Sequence, residues 1–152
     1  VNEAVGGDTA FIIPNTDTTL TIPSTSERVI TVGAYDSVNI STVGFSGRGY
    51  TRATEYIKPD LVAPGVNILT TTVGGSVSSF TGTSAAAPFV SGSVALLMEW
   101  GIVDRNDIFL YGERLKAFLC NGAIRDNSRE YPNREWGYGR LCLKNTLDLL
   151  KK

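Results

Sequence analysis

Phe80-Thr81-Gly82-Thr83-Ser84-Ala85-Ala86-Ala87-Pro88-Phe89-Val90-Ser91-Gly92 carries the chain from a polar turn straight into a long apolar helix. Gly82 permits a turn that a side chain would hinder. Thr83 or Ser84 then stands at the mouth of a helix carrying Val94, Leu96, Leu97, Met98 and Trp100. There a hydroxyl meets unpaired backbone N–H groups and the positive end of the helix dipole, both of which favour negative charge developing nearby. Ala85, Ala86 and Ala87 keep the turn narrow enough to lie against a sheet. Pro88 is expected near the first turn, where a missing N–H costs least. A Ser or Thr before a buried helix is also an ordinary N-cap, so the turn alone does not decide between structure and chemistry.

The 152 residues suffice for one domain with a sizeable core. Fourteen Lys and Arg against 15 Asp and Glu leave a formal charge of −1, which supplies no basic field for nucleic acid or an anionic membrane. No stretch reads as long and apolar enough to cross a bilayer. With Val1 first and no signal-peptide pattern, the chain reads as the inside of a longer polypeptide. Many Gly, Thr and Ser residues with few charges suit a secreted hydrolase fold. Cys120 and Cys142 permit one disulfide and no zinc site by spacing, and two free thiols are the preferred reading.

The chain holds no histidine. A serine hydroxyl is a weak nucleophile until a base within hydrogen-bond reach takes its proton, and the base of a Ser-His-Asp site is a histidine. A triad therefore cannot be completed within this chain.

Taken in order, residues 1–16 form a lead-in with turn signals at Gly6-Gly7-Asp8 and Pro14-Asn15. Residues 18–23 and 28–35 read as strands, the second a near-continuous apolar run of the kind buried on both faces of a parallel sheet. Phe45-Ser46-Gly47-Arg48-Gly49-Tyr50 is a glycine-rich connection with an exposed Arg48. It is not a phosphate loop, because no Lys-Ser/Thr and no helix follow it. Residues 58–68 give a short strand closed by Pro64-Gly65. Residues 68–73 and 77–80 give a hairpin turned at Gly74-Gly75. The helix of about residues 85–100 stops at Gly101 as its C-cap. A second helix is expected over 106–121 with Ile108, Leu115, Phe118 and Leu119 inward, then a polar surface loop at 125–133, then a terminal helix over 143–150.

The string Gly82-Thr83-Ser84-x-Ala86-x-Pro88 resembles the nucleophile segment of the subtilisin-like serine proteases (peptidase S8). Ile22-Pro23-Ser24-Thr25 followed by Val29-Ile30-Thr31-Val32-Gly33-Ala34 resembles that family's strand after the substrate pocket. Lys58-Pro59-Asp60-Leu61-Val62-Ala63-Pro64-Gly65 and Gly137-Tyr138-Gly139 match further family segments in the family's order. Thr18-Thr19-Leu20-Thr21-Ile22-Pro23, Trp100-Gly101-Ile102, Asn106-Asp107, Leu110-Tyr111-Gly112 and Leu141-Cys142 carry a closer likeness to the clostridial spore-germination members.

The resemblance implies an α/β fold, the C-terminal part of a subtilisin-like three-layer domain whose mostly parallel sheet is covered by helices. Residues 1–17 would be the tail of a jelly-roll insertion and 18–152 the C-terminal part of the catalytic domain. Ser84 would be the nucleophile, with Thr83 and Gly82 supporting its turn and the oxyanion. Thr21 and Ile22 would line the substrate pocket, and no metal or cofactor is implied. The partners implied are the N-terminal part of the same protease, bearing Asp and His, and a protein substrate such as a cortex-lytic enzyme precursor. The location implied is secreted or spore-associated. A catalytically dead relative that binds a partner is the alternative.

Some positions depart from the pattern. Val1-Asn2-Glu3 lacks the glycines that flank the family's oxyanion asparagine, so Asn2 is read as loop. Asp60 is read as structural, because the family's acid lies far ahead of the serine. Phe89 stands where many relatives have a histidine that is not the catalytic base.

Overall fold

In the computed structural model, residues 13–151 are described, and among them five strands and three α-helices, one extended by a π turn, are formed. Most of the lead-in, including Asn2, lies outside the described residues.

The framework is a three-stranded sheet of order β2-β1-β3, with β1 Val32–Asp36, β2 Ser41–Thr42 and β3 Leu61–Pro64. β1 and β3 run parallel in the register Val32 to Leu61 through Tyr35 to Pro64. β2 is antiparallel and pairs only with Tyr35 and Asp36. Among the described residues no strand flanks Val32, Gly33 and Ala34 on that outer edge, where the Ser46 hydroxyl accepts from the Ala34 N–H at 3.0 Å. On the far side of β3 the sheet is prolonged by single bridges, Val62 to Arg140 and Arg140 to Ile124.

Strand periodicity sends alternate residues to opposite faces, and the two faces have different covers. Ala34, Leu61 and Ala63 join Ala86, Val90 and Leu97 of α1 (Thr83–Met98) and Leu115, Leu119 and Cys120 of α2 (Gly112–Gly122). Tyr35 and Val62 turn the other way, onto Trp136 and Tyr131 of the C-terminal loop. Tyr35 and Trp136 pack with ring centroids 5.5 Å apart, and the Arg129 guanidinium sits 4.6 Å over the indole. α3 (Leu143–Leu150) crosses α2 where Gly122 lies against Thr146, so closely that a Cβ there would come within 2.4 Å of its hydroxyl. The parallel pair, hairpin and α3 follow the sequence expectations, and Cys120 and Cys142 are free thiols.

Elsewhere the structure departs from them. Residues 18–23 form no strand: Thr18 and Thr19 donate to the Gly49 and Arg48 carbonyls, and the chain then turns at Pro23. Gly101 does not cap the helix. α1 runs on into a π turn, Glu99–Val103, inside which Gly101 is buried and a Cβ would meet Leu110 and the Asp107 carbonyl at 2.9 Å. The combined run Thr83–Val103 is 21 residues and holds an 18-residue window of mean hydropathy 1.5, long and apolar enough by that measure to cross a membrane, contrary to the expectation from sequence. Core helices share that composition, and here one stripe of the helix is packed on the sheet. Residues 106–111 are turn rather than helix, and Ile108 is exposed. Arg48 is not free in solvent but pairs with Glu135 at 2.7 Å.

A buried charge cluster joins the sheet to α2. Asp60 is 2% exposed and Lys58 1%, their side chains meeting at 2.7 Å. Lys116 of α2 reaches the other Asp60 oxygen at 2.8 Å. Burial pushes the Lys58 ammonium below its ordinary value against the pull of Asp60. For Lys116 burial also acts downward, but the hydrogen bond and charge of Asp60 carry the net shift upward. Asp60 is structural, as the sequence implied.

Candidate active site

Three backbone hydrogen bonds hold the serine turn on the C-terminal end of the sheet. Gly65, just past β3, donates to Tyr35 O of β1 at 3.0 Å; Gly82 donates to Gly65 O at 2.8 Å; Ala85 donates to Gly82 O at 3.0 Å. Gly65 is needed at this crossing, since a Cβ would lie 2.6 Å from Ala34 Cβ and 3.0 Å from Gly82 O. Gly82 itself has φ +158°, a conformation side chains disfavour. The turn is thus registered to the sheet through a crossing that only glycine fits.

Beyond it, Thr83 and Ser84 are the first two residues of α1, whose N-terminus carries no side-chain cap. Their N–H groups belong to the first turn, which has no intrahelical acceptor to offer them. Pro88 stands inside the helix, in its second turn rather than its first. Having no N–H, it cannot donate to the Ser84 carbonyl four residues earlier. Both features leave backbone groups about Ser84 without intrahelical partners while Ala85 and Ala86 beside it are buried on the sheet.

The helix mouth separates two clefts. Ser84 is exposed on one of about 350 Å³ formed with Ile68, Thr70, Phe80, Pro88 and Phe89. Its far wall is the hairpin of β4 (Ile68–Thr71) and β5 (Val77–Phe80), in which Ile68 faces Phe80 and Thr70 faces Ser78. Thr83 lines the second cleft, about 710 Å³, with Thr19, Leu20, Thr21, Gly47 and Arg48. Thr21 is therefore placed with the helix mouth. Ile22 is 89% exposed and lies outside this lining. The wall is held by a turn in which Ser24 N–H donates to Thr21 O at 2.8 Å.

The α1 face opposite the sheet stays open. Phe89, Gly92 and Leu96 are exposed along one flank and Ser91 and Met98 along the other, and a Cβ on Gly92 would meet nothing within 4 Å. Sequence reading marked Gly65 only as a strand end, not as the seat of the serine turn, and missed Lys116, which gives no local signal.

The strand ends of the parallel sheet thus carry Ser84, in the uncapped first turn of a helix, between two clefts. The subtilase family model of peptidase S8 matches residues 3–139, and the chain belongs to that family. The solved CspB protease of Clostridium perfringens is 51% identical with a TM-score of 0.91, over 95% of this chain and 31% of that one. Serine protease AprX of Bacillus subtilis is 30% identical over 85% of this chain and 32% of its own length. The self-cleaved protease domain of PatA is 30% identical with a TM-score of 0.70, over 90% of this chain and 47% of that domain. The chain thus spans about a third of CspB and AprX.

Proposed function

We propose that the chain is the serine-bearing part of a subtilisin-like endopeptidase, with Ser84 as nucleophile. The carrying observation is the exposed Ser84 in an uncapped helix turn beside an apolar groove that the described residues leave open. Ser84 Oγ attacks the scissile carbonyl, and its proton passes to a histidine on an upstream segment that an acid orients. The Ser84 N–H, at the positive end of α1, faces the developing oxyanion together with an upstream asparagine. Thr83 and Gly82 hold the turn, and Thr21 forms a wall of the pocket for the residue ahead of the cut. Ile22 is assigned to the rim of that pocket. The roles of Asp, His and Asn follow the general subtilisin scheme, and this chain supplies the serine, the turn and one pocket wall.

The same reading makes residues 1–17 the tail of an insertion and 18–152 the C-terminal part of the catalytic domain. The upstream part is the partner that covers the open face of α1 and the bare edge of β1. By the family resemblance of the sequence, the proposed substrate is a protein precursor such as that of a spore cortex-lytic enzyme, and the proposed location is secreted or spore-associated. The test uses the complete protein. A fluorophosphonate should label Ser84, and Ser84→Ala should abolish both labelling and peptide cleavage without changing the fold. Cleavage retained in Ser84→Ala overturns the assignment. Normal folding and partner binding without labelling of the unaltered protein indicate instead a non-catalytic binding relative.

A further inference from the structure

Lys116 lies on α2, far in sequence from either cleft. Its ammonium donates to Glu27 O at 2.7 Å and to Val29 O at 3.2 Å, and meets Asp60 Oδ1 at 2.8 Å. Three acceptors occupy its three N–H groups. The cavity of about 530 Å³ beside it is therefore offered no spare donor from Lys116, and the contacts are mechanical in character. Lys58 adds a second ammonium, to Val29 O at 2.8 Å and to Asp60 Oδ2 at 2.7 Å.

From this cluster a hydrogen-bonded path leads to the large cleft. Asp60 Oδ2 accepts from the Thr31 N–H at 2.7 Å. The Thr31 hydroxyl donates to Ser24 O at 2.6 Å, and Ser24 N–H donates to Thr21 O at 2.8 Å. Thr21 lines that cleft together with Thr83. Between Thr21 and Thr31 the backbone forms no helix or strand, so its course depends on these side-chain contacts.

We infer that Lys116 is a positioning residue for substrate recognition: by pinning the Glu27 and Val29 carbonyls and Asp60, it fixes the segment that sets the Thr21 wall. The inference rests on the protease reading of the two clefts. Lys116 touches no residue of the Ser84 groove, so its removal acts on binding and leaves the chemistry of the serine alone. Lys116→Met keeps the stem and removes the charge. The Lys58–Asp60 pair survives as a neutral unit, which keeps the variant foldable.

In the complete protein, Lys116→Met should raise KM for a peptide substrate about tenfold with kcat changed less than about twofold, and Lys116→Arg should recover most of the loss. Hydrogen exchange should accelerate about tenfold at the hydrogen-bonded amides of Ser24, Ser26 and Thr31 while α3 keeps its protection. A fall in kcat at unchanged KM, or unaltered exchange at these amides, overturns the inference. If the unaltered protein neither cleaves peptide nor reacts with a fluorophosphonate, the protease reading fails. The exchange measurement then still decides whether Lys116 fixes the segment.

Discussion

Gly65→Ala tests the link between the sheet and the nucleophile. The added methyl would sit 2.6 Å from Ala34 Cβ and 3.0 Å from the Gly82 carbonyl oxygen. Carbon atoms in good contact stand about 3.5–4.0 Å apart, so roughly 1 Å of room must be found. Ala34 is buried between β1 and α1 and cannot supply it. Gly65 must therefore draw back from β1, straining its 3.0 Å bond to Tyr35 O, and must carry Gly82 with it through their 2.8 Å bond. Overpacking of this kind costs about 1–3 kcal/mol of stability. A nucleophile misplaced by about 1 Å loses on the order of 10²-fold in rate. Steady-state kinetics on the complete protein should show that loss in kcat with KM little altered, and denaturant unfolding should show the stability loss. Gly75→Ala serves as the control, because its φ of +79° strains the hairpin turn but its surroundings are open. Full turnover in a folded Gly65→Ala protein would falsify the proposed registration of the serine turn.

Other expectations follow from single sites. Gly92→Ala meets open space in this chain, where it should stabilise α1 by about 0.5–1 kcal/mol; in the complete protein it should destabilise, on the proposal that an upstream element seats there. Thermal melts of both forms check this, and a stabilising effect in both removes the covering element. Burial, then the charge of Asp60, pushes the Cys120 thiol up from 9.0 to about 11. Between those values the unfolded chain binds fewer protons than the folded one, so stability falls as pH rises, by up to about 3 kcal/mol. Cys120→Ala should flatten that fall in urea titrations run from pH 9 to 11. Iodoacetamide at pH 8 should modify half-buried Cys142 well before buried Cys120, as peptide mapping would show; equal rates would contradict the packing of α2 on the sheet.

The parts legible in sequence were those governed by nearby residues. The helix after Ser84, the Gly74-Gly75 hairpin and the strand at Leu61 each announce themselves through local periodicity and turn chemistry. Residues 18–23 failed as a strand because β-forming side chains say nothing about whether a partner strand is present. The helix at 106–121 began late because residues 106–111 fold back on the π turn, with Asn106 donating its side-chain N–H to Trp100 O at 2.7 Å. Gly101 misled for a similar reason: its missing side chain admits Leu110 rather than ending a helix. Thr21 and Thr83 could be placed together only through family likeness. The contact of Lys116 with Glu27 spans 89 positions and leaves no periodic trace.

On the proposed reading, the bare stripe of α1 makes the serine's competence a matter of encounter. Leu96, Phe89 and the groove beside Ser84 would offer a complementary fragment its grip, so adhesion and ignition would occur at one surface. Severed from its counterpart, such a half would be inert toward peptides yet prone to clump. Rejoined in trans, the two halves would form a reporter that lights only when both are present.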